Sequence, residues 1–168
     1  MDSGLTYSGT ATSTITGLDH LEGEEVAVLV DGAAHPRRTV ASGEIELQRE
    51  GTKVQVGLPY QSYLQTMRLE AGAADGTAQG KTKRITQAVI RFLATVGAKS
   101  GPALDNLDEI QFRRPSNPMD QALEPFTGDK LVEWPNGYDF DGYLIVSQEQ
   151  PLPQTVVAIM PQVTTQDR

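Results

Sequence analysis

Gly76-Thr77-Ala78-Gln79-Gly80-Lys81-Thr82 comes nearest, in this 168-residue chain, to a motif that does chemistry. A phosphate-cradling loop needs four residues between its glycines, so that successive amides curl around the anion, and a helix directly after it to supply a positive end. Here three residues separate the glycines, and the segment from Thr82 onward reads as a strand. The motif is expected to be a hairpin loop with a basic shoulder. Asp19, His20, Glu22, Glu24 and Glu25 are the densest group of possible metal ligands. A metal site asks for a spacing such as His-x-x-x-His or for a defined acidic loop, and one histidine among scattered acids offers neither. His20 is expected on the approach to the first strand, between the apolar anchors Leu18 and Leu21. Asp139-Phe140-Asp141-Gly142 opens like a calcium loop but lacks the terminal Glu and flanking helices, so Asp141-Gly142 reads as a turn.

The remaining polar groups give no stronger constellation. Asp105, Asp108 and Glu109 read as a solvated face, and His35, just before Pro36, as exposed. Lys81, Lys83, Arg84, Arg113 and Arg114 are the notable basic groups, too few against 22 acids to argue for nucleic-acid recognition. Tyr60, Tyr63, Phe126, Trp134, Tyr138, Phe140 and Tyr143 cluster in the second part of the chain. Core packing of a sandwich is the favoured reading, because alternating aromatics are normal in strands. A stacked-aromatic sugar platform is the alternative. With no cysteine, thiol chemistry, disulfides and Cys-zinc sites are excluded. No catalytic, cofactor-binding or metal-ligating residue is nominated, no cofactor is expected, and the chain is not expected to be an enzyme.

The elements that carry these residues read as strands almost throughout. Residues 1–16 are Ser/Thr-rich and form an extended lead-in, with one strand over Tyr7–Thr16. Glu25–Val30 is the first clear strand; it ends at Asp31-Gly32, a two-residue hairpin turn whose central positions both need positive φ. After Pro36, which suits an edge, come Arg38–Ala41, a Ser42-Gly43 turn, Glu44–Gln48 and Lys53–Leu58. Ile45 and Leu47 alternate with Glu44, Glu46 and Gln48, the period of a half-buried strand. Further strands are expected over Tyr60–Glu70, Thr82–Thr95, Leu107–Arg113, Phe126–Trp134, Tyr143–Glu149 and Gln154–Pro161, with a mobile small-residue loop over 71–80 and a Pro-rich loop over 115–125. Thr82–Thr95 also fits a helix, but its β-branched content and flanking Gly80 and Gly97 favour strand. The predicted fold is all-β: a small β-barrel-like subdomain (17–58) packed on an antiparallel β-sandwich (59–163), with a tail at 164–168. A unit of about forty residues is too small to stand alone.

Gly17–Gly32, Val56–Tyr60, Gly80–Arg84 and Met160–Val163 resemble the C-terminal part of a tailed-bacteriophage and prophage virion protein family, and the likeness spans almost all of the chain. Members carry a domain like the first catalytic cysteine half-domain of ubiquitin-activating enzymes. The resemblance implies a small β-barrel fold and a tail- or nozzle-type role. It implies no transfer of the cysteine chemistry, since there is no Cys. The expectation is therefore a non-enzymatic structural module of a virion, made in the host bacterial cytoplasm, that oligomerises in the particle and contacts other virion proteins. A receptor- or glycan-binding module of the phage exterior, using the Trp134/Tyr138/Tyr143 region, is the alternative, and a wall hydrolase comes third. The net charge of -8 favours solubility and disfavours nucleic-acid binding. Were the assembled form to line a channel, that acidity would repel DNA phosphates. No apolar run reaches the ~20 residues of a membrane span, and the N-terminus shows no signal-peptide pattern.

Overall fold

The computed structural model describes residues 1–70, 77–78, 80–118, 121–134 and 137–166. It is all-β: β1 (Asp2–Thr16), β2 (Glu25–Val30), β3 (Ala33–Thr39), β4 (Glu44–Leu58), β5 (Ser62–Gln65), β6 (Thr82–Thr95), β7 (Lys99–Ala103), β8 (Asn106–Glu109), β9 (Phe126–Glu133), β10 (Ile145–Gln148) and β11 (Val156–Gln166). A single 3₁₀ turn, Asp19–Leu21, interrupts them among the described residues. The strands form three antiparallel sheets, ordered β1-β4-β2-β3, β5-β10-β7-β8 and β11-β6-β9, and no closed barrel forms among the described residues. Two compact units result. The first holds Met1–Ser62 with Arg113–Glu124 and Glu149–Leu152; the second holds Tyr63–Phe112, Pro125–Gln148 and Pro153–Arg168.

In the first unit one sheet curls around its own core. Ile15, Leu18, Leu21, Val26, Val28, Val30, Val40, Ile45, Leu47, Val54 and Val56 share that core. Both expected hairpin turns are present: Asp31 and Gly32 have φ of 48° and 82°, and Ser42 and Gly43 have 57° and 71°. Two positive values in succession are what a type I′ turn demands. Side-chain carboxylates secure both turns. Asp31 accepts from the Lys53 amide (2.8 Å) and the Thr52 hydroxyl (2.9 Å), and Glu22 accepts from the amides of Ser42 (2.9 Å) and Gly43 (2.7 Å). The lead-in is more ordered than its composition suggests: β1 begins at Asp2 and pairs with β4 from Asp2↔Leu58 to Thr16↔Glu44, with irregularities between. The two expected strands 44–48 and 53–58 are one strand, β4, which passes through buried Gly51. There a Cβ would stand 2.5 Å from Val30 Cγ1 and 3.1 Å from Val54 Cγ2, so only glycine lets the strand lie against β2.

In the second unit two sheets face one another across a core of Ile90, Phe92, Ala98, Ile110 and Val146, to which Phe112, Phe126, Val132, Val156 and Ile159 add. Phe112 meets Phe92 and Phe126 edge-on at 5.4 and 5.9 Å. A neighbouring cluster joins Ile85, Ala88, Trp134 and Leu144. The boundaries of β6 coincide with expectation; other strands differ. Tyr60–Glu70 contributes only Ser62–Gln65, wholly exposed, because alternation there has only the short β10 to pair with. Lys99–Ala103 carries Gly and Pro and is absent from the expected strands, yet it is one because β8 and β10 both pair with it. The eighth strand stops at Glu109, and β11 runs on to Gln166, five residues beyond the expected end at Pro161, in register with β6.

Candidate interaction surface

The polar groups weighed for chemistry do not come together in one site among the described residues. Residues 76 and 79 of the glycine-rich segment lie outside the described residues, as do 71–75 of the loop before it. Thr77 and Ala78 spend their donors on the chain itself: the Ala78 amide and the Thr77 hydroxyl both bind the Glu70 carboxylate, at 2.7 and 2.8 Å. A strand begins at Thr82, so no helix end faces the segment. In the Asp19–Glu25 group, Leu18 and Leu21 are buried anchors and His20 is exposed, its Nε2 3.1 Å from the Ser3 carbonyl. Glu22 holds the Ser42-Gly43 turn, and the two backbone amides, Gly43 first, keep its carboxyl below the ordinary 4.5. Glu25 pairs with Arg37 at 2.9 Å. No three potential metal-ligating side chains converge among the described residues.

Two polar residues are placed differently from expectation. His35 is buried, at 9% exposure, rather than solvated. Its Nε2 lies 3.0 Å from the Gln48 amide, and its Nδ1 lies 2.7 Å from the Pro36 carbonyl. An amide only donates and a carbonyl only accepts, so the network assigns the proton to Nδ1 and a bare lone pair to Nε2. Beside it, Arg38 Nε donates to the Glu46 carbonyl at 3.0 Å. Side chains of β3 thus meet the backbone of the first half of β4, where β3 itself forms no ladder. Lys83 is the second case: it is buried rather than part of a solvated basic shoulder, and its Nζ donates to the Phe140 carbonyl at 2.9 Å. Backbone bonds of 2.7 Å in both directions join Lys83 to Asp139, so the Asp139–Gly142 turn is a clasp on β6. Within that turn, Asp141 is bridged by Arg68 at 2.8 Å; the Tyr143 hydroxyl first, then Asp141, raises the pKa of Arg68.

The aromatics split between core and surface. Trp134, at 4% exposure, packs with Ile85, Ala88 and Leu144, so it cannot be part of a sugar platform. Tyr60, Tyr63, Tyr138 and Phe140 are exposed. Tyr60 lines an open depression of about 260 Å³ with Arg37, Pro59, Gln61 and Glu149. Asp105, Asp108 and Glu109 are exposed on the β7–β8 hairpin, as expected.

A row of apolar side chains lies elsewhere, on the outer face of the β11-β6-β9 sheet. In register, Met160, Val89 and Leu131 stand side by side across all three strands. Leu131 is 63% exposed and Met160 40%; Leu93 and Val157, 50% and 57% exposed, lie on the far side of the Arg91 row. One flanking row is Ala158–Arg91–Asp129, the other Gln162–Gln87–Glu133. Arg91 grips Asp129 with two bonds, 2.7 and 2.9 Å, which hold the Asp129 carboxyl below its ordinary 3.8 and raise Arg91. Gln87 donates to Gln162 at 2.6 Å. An apolar band with paired polar groups on either side has the layout of a protein interface: an apolar centre and a polar rim. Sequence alternation marks both faces of β9 without saying which is covered, so the register alone reveals this surface.

No protein-family model matches the chain, and no curated protein is significantly similar to it.

Proposed function

We propose that the chain is a non-enzymatic structural module of a bacteriophage or prophage virion, tail- or nozzle-like, that works through contacts with neighbouring subunits. The observation that carries the contact role is the Met160–Val89–Leu131 row, since apolar side chains aligned across three strands on an exposed face mark a place where something else can pack. The virion assignment rests on the resemblance of residues 17–32, 56–60, 80–84 and 160–163. Mass spectrometry of purified particles, with the order of the adjacent open reading frames, tests it. Recovery in stoichiometric amount, beside portal and tail genes, is the expected result; absence from particles refutes it.

A receptor- or glycan-binding role on the phage exterior is the second reading, and the Tyr60 depression favours it. An exposed ring beside Pro59, with guanidinium, amide and carboxylate groups at its edge, offers both a stacking face and hydrogen-bonding partners to a sugar. A glycan array separates the two readings: defined binding lost in Tyr60→Ala supports this one.

A further inference from the structure

We propose that the outer face of the β11-β6-β9 sheet is a homodimer interface, occupied by the same face of a second copy of this chain. The proposal rests on, and sharpens, the reading of the chain as a subunit-contact module.

Charge selects the occupant. The chain carries -8 overall, so two copies repel on average. This face adds nothing to that repulsion. Its ionised groups among the described residues are Arg84 and Arg91 against Asp129 and Glu133, two of each sign, and Arg91 and Asp129 already neutralise one another. A strongly basic or acidic partner would find no field here to match. A second copy finds none to oppose it, and an apolar row is its own complement. Two-fold packing makes every contact twice, which is how a modest patch reaches useful affinity. Sheets pack face to face ~10 Å apart by interdigitating side chains of this size, so Leu131, Val89 and Met160 would enter a shared core while the Arg91–Asp129 and Gln87–Gln162 pairs stay at the rim.

The strand that carries Leu131 breaks the usual order of apolar inside and polar outside. Lys130 turns inward, its Nζ 4.9 Å from the Phe126 ring centroid and 5.3 Å from that of Phe112, and bonded to the Gln111 carbonyl at 2.7 Å. Leu131, one residue on, faces out. The isolated sheet gains nothing from an exposed leucine there, whereas a dimer does.

Sedimentation equilibrium on the purified chain tests this directly. A reversible monomer–dimer equilibrium is expected. Leu131→Asp and Met160→Asp should each weaken it by about 100-fold or more, because every substitution puts two carboxylates into the shared apolar centre. Both side chains point away from the core, so circular dichroism and unfolding should stay native. Ser8→Lys, on the edge strand β1, should leave the dimer intact. A monomer at about 1 mM chain, a dimer that survives Leu131→Asp combined with Met160→Asp, or a dimer abolished only by Ser8→Lys overturns the proposal. The virion reading fails separately: a face-dependent dimer absent from particles refutes only that reading, and a monomeric chain recovered from particles refutes only the dimer.

Discussion

Replacing His35 with phenylalanine should destabilise the first unit, although it makes a buried position more apolar. The imidazole performs two tasks. Nε2 accepts the Gln48 amide at 3.0 Å, and Nδ1 donates to the Pro36 carbonyl at 2.7 Å. Pro36 is exposed, so water replaces the second bond at little cost. The first is different: a phenyl ring would fill the same space, exclude water, and leave the Gln48 N–H without an acceptor. An orphaned donor costs about 1–3 kcal/mol. Against this stands the gain from no longer burying imidazole nitrogens, at most about 1 kcal/mol on the scale of one buried methylene. The penalty wins, and a net loss of about 1–2 kcal/mol is expected. His35→Gln, whose amide oxygen can reach the same N–H, should recover part of it.

Urea unfolding followed by far-UV circular dichroism measures the loss, with hydrogen exchange at Gln48 as the local readout. The only tryptophan, Trp134, lies in the second unit, so its emission reports on that unit separately. A His35→Phe protein as stable as the native one would refute the reasoning. So would a nitrogen NMR spectrum showing the proton on Nε2.

Three further outcomes are expected. Both turn carboxylates titrate below their ordinary values, Asp31 chiefly through the Lys53 amide and Glu22 chiefly through the Gly43 amide. Their stabilisation is therefore fully present above the unfolded values near 3.8 and 4.5, and is lost as pH falls through the lower folded ones. Acid unfolding should flatten in a Glu22→Gln, Asp31→Asn double variant, and an unchanged acid limb would contradict the assignment. Gly51→Ala forces a Cβ against Val30 and should cost about 1–3 kcal/mol in denaturant titrations; a neutral result would mean that β4 lies further from β2. Val28→Asp and Ile45→Asp bury an unpaired carboxylate in the first core and should each unfold that unit, at a cost of several kcal/mol; native melting of both would refute the strand assignment.

The parts of this fold that local chemistry dictates were legible in the sequence. Asp31-Gly32 and Ser42-Gly43 are dipeptides that tolerate two positive φ angles, and both turns formed. Glu25–Val30 and Thr82–Thr95 are rich in β-branched residues between glycines or turn residues, and their boundaries agree. What failed depended on partners remote in sequence. Nothing near His35 announces the Gln48 amide, and nothing within Lys99–Ala103 announces the two strands that make it one. Lys83 is an intermediate case, for it shares strand parity with buried Ile85, and parity outranks its basic neighbours.

Strand β9 shows why the proposed contact surface stayed hidden. Phe126, Lys130 and Val132 point one way, Asp129, Leu131 and Glu133 the other, so each face offers both apolar and charged groups. Hydrophobicity alone would turn Leu131 inward, yet a shift of one residue would also turn Phe126 and Val132 out of the core, two apolar side chains for one. The register therefore obeys the majority. Lys130 is accommodated by laying its charge over two rings, and Leu131 is left in water. Local preference and global fold conflict at this one residue, and such conflicts persist where something outside the fold resolves them. A second copy of the same face would do so, turning the least favourable feature of the isolated sheet into the centre of an interface.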